Sequence, residues 1–427
     1  MLNTQTYLKI ASVLLFSLLM LAPFGATQAQ NRINMPYSIY GLGEVRFHHN
    51  YQTMGMGGIS QAFRSNMTVN EINPASYTAV DTTSFIFDLT MVSHFYEQKT
   101  SLLTQQSDYI SMGNLSFSFP LTKWWAFAAG MKPYSLMGYS IRDEEDHPMA
   151  GKVHYLYEGS GGLNQLFIGN AVQLFDHLSL GVNASYVFGD MRREASIFSD
   201  SADVFQTNLL YTNRAGGWML GFGMQYEFVF ANNRFLTVGA TYGHQQDISL
   251  RTKETLRWRL PGVSAYDTLS HRVLDEATLS LPQHYGAGVF ARFSNNWAGG
   301  IDYQWQNWES FRLPGQEKTF NNSYQLAAGI VFNPTLETYS PFIYRWEYTA
   351  GIRYGQSYLR HQDETINEFG ISFGVHIPVR RAFSGIRIGF EYSQRGSVDD
   401  HFMQENFYRL NVGVNIYERW FIRRRFF

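Results

Sequence analysis

The sequence contains no cysteine. If the chain is exported, it therefore has no disulfides, no thiolate metal site and no lipid anchor on an N-terminal cysteine. Charged residues are also scarce, at 16% of the chain, and a formal net charge of −2 gives no electrostatic basis for binding nucleic acid. Beyond its first residues the sequence has no apolar run long enough to cross a membrane as a helix.

The first residues have the three-part form of a secretory signal peptide. Lys9 precedes the apolar run 10–24, and the small-residue site Thr27-Gln28-Ala29 follows it. The apolar run is shorter than the roughly 20 residues of a spanning helix, which argues against an N-terminal anchor. We predict that residues 1–29 are a signal peptide. An exported chain without a spanning helix points to the outer membrane of a Gram-negative cell, because lipid tolerates only helices or closed barrels.

From about residue 84 to the C-terminus, polar and apolar residues alternate with a period of two. In the segment 384–394 the even positions are mostly apolar, whereas Arg387 and Glu391 lie on the other face. The segments 178–189 and 408–416 repeat this separation. An outer-membrane barrel needs such strands, since one face meets lipid and the other faces the lumen. An aromatic content of 16% also suits a lipid-facing wall.

Turn-forming residues divide the alternating part of the chain into hairpins. Short turns are predicted at 120–123, 176–177, 231–233, 294–296, 333–341 and 379–383. A leading strand at about 84–93 and a closing strand at about 406–417 complete the set. We predict an all-β transmembrane antiparallel β-barrel of about 14 strands. Its domain would cover residues 84–427 and end in a periplasmic tail.

The intervening connections are predicted to be outer loops, of which the longest run from about 141 to 162, 191 to 216 and 251 to 281. Segments near 153–158 and 205–211 could instead extend the barrel above the membrane. Apolar loop residues could form a groove that captures a ligand. They are Ile197, Phe198, Leu209, Leu210, Trp258 and Leu260. Aromatic residues that anchor loops at the membrane interface would give the same composition.

Residues 30–83 alternate poorly and read as compact irregular structure. They contain Gly55, Gly57 and Gly58, followed by Asn73-Pro74-Ala75. Glycine permits positive φ and close backbone approach, and Pro74 biases Asn73 away from helix. Irregular backbone is costly in lipid, so we predict that this segment fills the lumen as a hatch or hangs in the periplasm. An ordinary periplasmic lead-in is the alternative.

These residues resemble the FadL/TodX family of outer-membrane transporters for hydrophobic compounds. The resemblance rests on Gly55-Met56-Gly57-Gly58, on Asn73-Pro74-Ala75 and on the run 157–165, which leads into a strand. It covers essentially the whole mature chain and is that of a divergent member. It implies a hatch, formed by the N-terminal segment, that plugs a fourteen-stranded barrel. The Asn-Pro-Ala motif would lie in that hatch.

Pro133 falls within the predicted third strand, at 124–140. A proline removes a ladder hydrogen bond and therefore signals a bulge or a break in the wall. The resemblance implies a lateral opening in the third strand, through which a hydrophobic ligand leaves the lumen for the bilayer. A proline at the rim, just above the membrane, is the alternative.

Motifs of enzymes and metal proteins are weak or missing. No G-x-S-x-G nucleophile motif occurs in the sequence. His48 and His49 are adjacent, so in an extended segment they point to opposite sides. His147 and His154 accompany the acidic run 143–146, which could hold a divalent cation or be a solvated loop. We predict a protein that is not an enzyme and that has no metal and no other cofactor.

Four charged residues fall on the predicted lumen face of their strands: Asp302, Arg387, Glu391 and Arg409. The simplest interpretation is that they pair with one another or with the hatch. Alternatively, some of them could bind the carboxylate of a ligand.

The sequence, together with the resemblance, predicts passive uptake of a small hydrophobic molecule such as a long-chain fatty acid. The ligand would enter from the loops, shift the hatch and leave sideways into outer-membrane lipid. The leading alternative is a barrel subunit or shuttle of an outer-membrane protein secretion or assembly complex, with a protein partner and no small-molecule transport. A third alternative, an aqueous porin, is disfavoured by the predicted hatch.

Overall fold

In a computed structural model, the chain from residue 33 forms one closed antiparallel β-barrel around its own N-terminal segment. The structure describes residues 33–46, 50–101, 103–201, 204–312, 320–335, 340–361, 364–379, 384–398 and 403–419. The predicted signal peptide, His48 and His49 lie outside the described residues.

The wall has 14 strands, as the sequence predicts. They are β1 (Ser84–Lys99), β2 (Thr104–Pro120), β3 (Trp125–His147), β4 (Gly151–Leu174), β5 (Leu178–Ser199), β6 (Gln206–Phe230), β7 (Arg234–Gly243 and Gln246–Arg259), β8 (Asp267–Val273, Ala277–Leu281 and His284–Arg292), β9 (Trp297–Gln306), β10 (Ser323–Phe332), β11 (Glu347–His361), β12 (Glu364–Pro378), β13 (Gly385–Arg395) and β14 (Gln404–Arg419). β14 pairs with β1 from Gln404–Lys99 to Arg419–Ser84, which closes the barrel.

The period-two pattern separates an apolar outer face from a polar inner face. On β14 the side chains of Leu410 and Val412 are about 40% exposed, at 39% and 42%, whereas Arg409 and Asn411 are buried. On β6 the exposed apolar residues run from Trp218 to Phe230. At about 3.3 Å per residue and a tilt of about 40°, this band is about 30 Å tall. None of the helices in the described part of the chain has the length and apolar character to cross a bilayer.

Four predicted short turns match the observed ones to within about a residue: 121–124, 175–177, 231–233 and 293–296. The connection between β10 and β11 is longer than predicted and contains the 3₁₀ helix Phe342–Arg345. The connection between β12 and β13 is only partly described. These four turns lie at the same end of the barrel as Ser84 and Arg419, called the turn end below.

The three long outer loops predicted from the sequence are wrong. β3 and β4 are separated only by residues 148–150, and β5 and β6 by 200–205. β7 continues to Arg259, and β8 resumes at Asp267. These strands continue to pair above the apolar band, where both faces meet water. The polar and apolar faces are therefore no longer distinguished there, and the sequence loses its period-two signal.

Residues 33–46 and 50–83, called the lumenal segment below, pack against the inner face of the barrel wall. The 3₁₀ helix Pro36–Ile39 contacts β3, the 3₁₀ helix Tyr51–Met56 contacts β10 to β14, and the 3₁₀ helix Pro74–Ala79 contacts β2 to β6. A two-residue strand, Glu44–Val45, joins the sheet through β3. The segment thus reaches the inner face of the wall on several sides.

Candidate functional site

The wall has one seam, between β2 and β3, in the described part of the barrel. These strands pair only from Pro120–Ala126 to Leu115–Met131. By contrast, β1 and β2 pair as far as Lys99–Thr104, and β3 and β4 as far as His147–Gly151. Beyond Met131 toward the outer end, β2 and β3 therefore separate. This gap is called the seam below.

Bulges interrupt both strands where the seam begins. The pairing of β3 with β4 shifts between Pro133 and Ser135, which leaves Tyr134 as the extra residue. The pairing of β1 with β2 shifts so that Gly113 is extra. A bulge bends its strand and increases the local twist. Pro133, which the sequence predicts to mark a bulge or a break, thus lies near the last residue pair between β2 and β3. The second bulge, at Gly113, was not predicted from the sequence.

The lumenal segment occupies the free edge of β3 along the seam. Glu44 and Val45 pair with Leu136 and Ser135 as a short antiparallel ladder. The ladder continues with the Arg46 N–H, which donates to the Tyr134 carbonyl at 2.8 Å. Further along the edge, the Met35 N–H donates to the Gly138 carbonyl at 2.7 Å. The lumenal segment thus forms the main-chain hydrogen bonds with this part of the β3 edge. Nearer the turn end, β2 forms them.

Arg46 joins the two sides of the seam. Its main chain is bound to β3, while its guanidinium donates to Ser111 Oγ at 3.2 Å and to the Tyr109 hydroxyl, both on β2. The same group lies 3.4 Å from His94 Nε2 on β1. Arg46 is only 3% exposed. A single buried side chain therefore holds β1 and β2 to the segment that lines β3.

The β2 edge beyond the last rung has a different environment. Within the described residues, 104–114 pair with β1 alone. Gln106, Asp108 and Ile110 are exposed there. An unpaired strand edge presents a row of N–H and C=O groups to any extended chain that approaches it.

A small cavity of about 40 Å³ lies inside the wall and is lined in part by Lys132, the neighbour of Pro133. Glu71, Lys132, Gln165 and His284 contribute to its lining. Burial raises the pKa of the Glu71 carboxyl, and the Lys132 ammonium acts in the opposite direction. Charged and polar groups therefore stand directly inside the wall at the seam.

The glycines of the predicted hatch motif fit the segment against β10 to β12. Gly57 has a φ of 71° and donates its N–H to Ser372 Oγ at 2.9 Å. A Cβ at Gly57 would approach the Ile352 carbonyl, and one at Gly55 would meet the backbone of Gly374. Gly58 has a φ of 79°, but nothing would contact its Cβ. Gly55 and Gly57 thus allow close approach to the wall.

The Asn73-Pro74-Ala75 motif fixes the segment on the opposite side of the barrel. Asn73 Oδ1 accepts from the Ala75 N–H at 3.1 Å, and Asn73 Nδ2 donates to the Met224 carbonyl at 3.3 Å. Pro74 packs so closely on Gly181 and Gly223 that a Cβ at either glycine would collide with it. The motif therefore caps a 3₁₀ helix and binds β5 and β6 at once.

All four predicted lumen charges face inward, and two of them bind the lumenal segment. Asp302 accepts from the main-chain N–H groups of Ser60 and Gln61, the latter at 2.7 Å. Arg387 donates to Gln52 Oε1 at 2.7 Å. These contacts attach the segment to β9 and β13.

The other two lumen charges belong to a buried ionic network. Glu391 pairs with Arg409 and, at 3.1 Å, with Arg353. Nearby, Arg395 pairs with Glu405 at 2.5 Å and with Glu44 of the lumenal segment at 2.7 Å. The sequence pattern did not single out Arg395, although it has the same parity as Arg387 and Glu391. It also missed Glu44 and Arg46, for which an irregular segment offers no periodic signal.

The outer half of the lumen also holds an apolar cluster beside this ionic network. Leu42 of the lumenal segment, Met137 of β3, Met191 of β5 and Leu250 of β7 belong to one buried cluster with Trp308. A cavity of about 460 Å³ lies between the lumenal segment and the wall, and more than half of its lining is polar. The apolar part of the lumen is thus packed with the protein's own side chains.

The six predicted capture residues do not form one groove. Five of them lie on β5, β6 or β7 rather than in loops, and only Leu260 follows the end of a strand. Strand register places Ile197, Leu209 and Trp258 on the face that continues the lumen. It places Phe198 and Leu210 on the opposite face. The set therefore does not line a single path into the barrel.

The histidine and acidic residues near the β3–β4 connection pair with one another. His154 lies 3.1 Å from Glu144 through Nδ1 and 3.1 Å from Asp200 through Nε2, and Lys152 also binds Glu144. No group of three or more His, Cys, Asp or Glu residues in the described ranges is arranged to hold a metal ion.

Comparison with known proteins places this geometry in context. The BamG family model matches residues 9–427. A search of curated proteins found no match. Several solved outer-membrane channels share the fold.

Three of the solved structures illustrate the similarity. The toluene transporter TodX of Pseudomonas putida has 14% identity and a TM-score of 0.58, covering 88% of this chain and 100% of its own. The toluene transporter TbuX of Ralstonia pickettii has 13% identity and a TM-score of 0.56, covering 88% and 100%. A FadL homologue of Pseudomonas aeruginosa has 12% identity and a TM-score of 0.54, covering 89% and 100%. The predicted resemblance to the FadL/TodX type is therefore confirmed at the level of the fold.

Proposed function

This chain belongs to the BamG family, and we propose that it passes a small hydrophobic molecule between its lumen and the outer membrane through the seam. The observation that carries this proposal is the end of β2–β3 pairing at Leu115–Met131. Beyond that rung, only the lumenal segment separates the lumen from the bilayer. Solved barrels of the same fold include proteins described as hydrocarbon channels and toluene transporters.

Movement of the lumenal segment would open this path. The ladder of Glu44 and Val45 on β3 is only two residues long, so its release breaks few main-chain hydrogen bonds. A molecule such as a long-chain fatty acid would displace side chains of the apolar cluster and then partition into lipid. The gain on entering the bilayer is roughly 0.8 kcal/mol per CH₂ group, which requires no nucleotide and no covalent chemistry.

A reversible crosslink tests the path. Val45 and Ser135 lie directly opposite one another, and the native chain has no cysteine. A Val45→Cys/Ser135→Cys disulfide should hold the lumenal segment on β3 and abolish uptake of a labelled long-chain fatty acid by cells that produce the protein. Reduction should restore uptake. Each single variant, and an Ile330→Cys/Ala350→Cys disulfide between β10 and β11, should leave uptake unchanged. Full uptake by the oxidised variant would exclude the seam.

A second candidate function is that of a subunit in an outer-membrane protein secretion or assembly complex. The open β2 edge at 104–114 supports it, because a partner could add a strand there. The packed apolar lumen and the short outer connections also favour protein contact over ligand capture. Membership of the BamG family points in the same direction.

Site-specific photo-crosslinking tests the second candidate. A photoreactive residue at Gln106 or Asp108 should capture one partner in stoichiometric yield in cells. The same probe at Tyr155 or Tyr157 on β4, which is paired on both sides at these positions, should capture none. Capture at the β2 edge together with an unchanged rate of fatty-acid uptake in the oxidised disulfide variant would favour the subunit over the transporter.

A further inference from the structure

Four basic residues form a patch on the outer surface of β5, β6 and β7. Strand register aligns Arg214 with Arg251, and places Arg192 and Lys253 on either side of Thr212 in the next row. Neighbouring strands lie about 4.8 Å apart, and alternate residues of a strand about 6.7 Å apart. The four cations therefore occupy two adjacent rows within roughly 10 Å of one another. They are called the basic patch below.

The basic patch lies just above the apolar band, at the level of lipid head groups. Arg214 has the same outward parity as Trp218, which is 62% exposed. Trp218 packs edge-on against Tyr186, with ring centroids 5.3 Å apart. Aromatic residues of this kind mark the membrane interface. Four residues at about 3.3 Å each, with the usual tilt, place Arg214 about 10 Å beyond that ring on the side away from the turn end.

Nearby carboxylates do not neutralise all of the positive charge of the basic patch. Arg214 pairs with Asp190 at 2.8 Å but is 72% exposed, and Arg251 lies 3.5 Å from Glu276 and is 67% exposed. Arg192 and Lys253 are exposed as well. In the described part of the chain, neither of these two is within ion-pair distance of a carboxylate. Two further acids lie on the same face: Asp247, nearer the membrane, accepts from Ser280 Oγ at 2.6 Å, and Glu194, in the next outer row, lies 3.8 Å from Arg257. The two rows thus retain uncompensated positive charge.

We propose that the basic patch binds the phosphate groups of a phosphorylated glycolipid in the outer leaflet. Arg side chains bind phosphate through paired N–H groups, and Lys acts as a compact charge beside them. The acyl chains of such a lipid would lie along the apolar surface below, from Trp218 toward Phe222. A glycolipid head group that carries two phosphates can contact cations in both rows and on all three strands. This inference does not depend on the seam.

Lipid binding by the purified full-length barrel tests the proposal. The probe is diphosphoryl lipid A, added in detergent micelles and measured by native mass spectrometry. Arg192→Gln/Lys253→Gln should bind it about 30-fold more weakly, about fivefold for each charge near an anionic surface. Lys123→Gln/Arg234→Gln removes the same charge at the turn end and should bind normally. Both variants retain every strand pair, and heat-modified gel mobility should confirm a folded barrel.

Two results would overturn the proposal. The first is an unchanged affinity of Arg192→Gln/Lys253→Gln for diphosphoryl lipid A. The second is equal binding of phosphatidylglycerol, or of lipid A without phosphates, by the native protein. Equal binding would mean a general membrane surface rather than a site for a phosphorylated glycolipid.

Discussion

The main-chain N–H of Arg46 lies 2.8 Å from the carbonyl of Tyr134, across the place where β2 would otherwise pair with β3. A barrel is stable in lipid because no strand edge stays open. Here an irregular segment from inside the lumen completes one edge, on the bulged residue that follows Pro133. The closure of the wall therefore depends on the position of the lumenal segment, because Arg46 binds β3 through its main chain and β2 through its side chain.

Replacing Pro133 with Val should narrow the seam. Valine restores the N–H that proline lacks and favours extended backbone, so β3 can continue regular pairing. We expect fatty-acid uptake to fall severalfold while surface expression and heat-modified gel mobility stay normal. Pro341→Val, in the connection between β10 and β11, changes the same residue type away from the seam and should have no effect on uptake. Equal uptake by Pro133→Val and the native protein would show that the bulge does not limit passage.

Removing the Arg46 guanidinium should loosen the seam. Arg46→Met deletes hydrogen bonds to Ser111 and Tyr109, and charged hydrogen bonds contribute roughly 1.5–3 kcal/mol each. We expect faster proteolysis near residues 33–46 and a destabilisation of about 2 kcal/mol in urea titrations of the barrel. Arg193→Met is the matched control, because Arg193 donates to the Gly41 carbonyl of the same segment from β5. Proteolysis of the Arg193→Met variant should not increase at the seam. A similar increase in both variants would contradict a specific role for Arg46.

The barrel wall could be predicted from sequence because lipid enforces a strict pattern. On β14, for example, Val412 lies on the exposed outer face and Arg409 on the buried inner face. The number of strands with this pattern could therefore be predicted. The same reasoning fails above the bilayer, where Tyr155 still pairs with Ile197 although both faces are wet. It also fails inside the lumen, where Glu44 and Arg46 take partners far along the chain and no periodicity reports them. Pro133 was predictable as a bulge, but the separation of two strands depends on their register, which the sequence does not encode locally.

Alanine substitutions at two adjacent glycines should distinguish the cost of backbone strain from the cost of a steric clash. Gly57 and Gly58 both have a positive φ, so alanine at either should cost about 1 kcal/mol through strain. Only at Gly57 would the added methyl group approach a barrel carbonyl, that of Ile352. Gly57→Ala should therefore lower the midpoint of thermal unfolding clearly more than Gly58→Ala, measured by heat-modified gel mobility. Equal shifts would mean that the lumenal segment is not held tightly against β11.

Deleting residues 33–80 should open the barrel to small solutes. The lumenal segment supplies the partners of Asp302 and Arg387 and most of the material between the strands at mid-height. Its loss leaves those charges in a lumen that water can fill, and buried charges favour hydration. We expect stepwise ion currents in planar bilayers and faster uptake of a small hydrophilic antibiotic, neither of which the native protein should show. The Val45→Cys/Ser135→Cys disulfide, which retains the segment, serves as the closed control. A folded deletion variant without currents would place the barrier in the apolar cluster of the outer half, where Trp308 and Met191 lie, rather than in the lumenal segment.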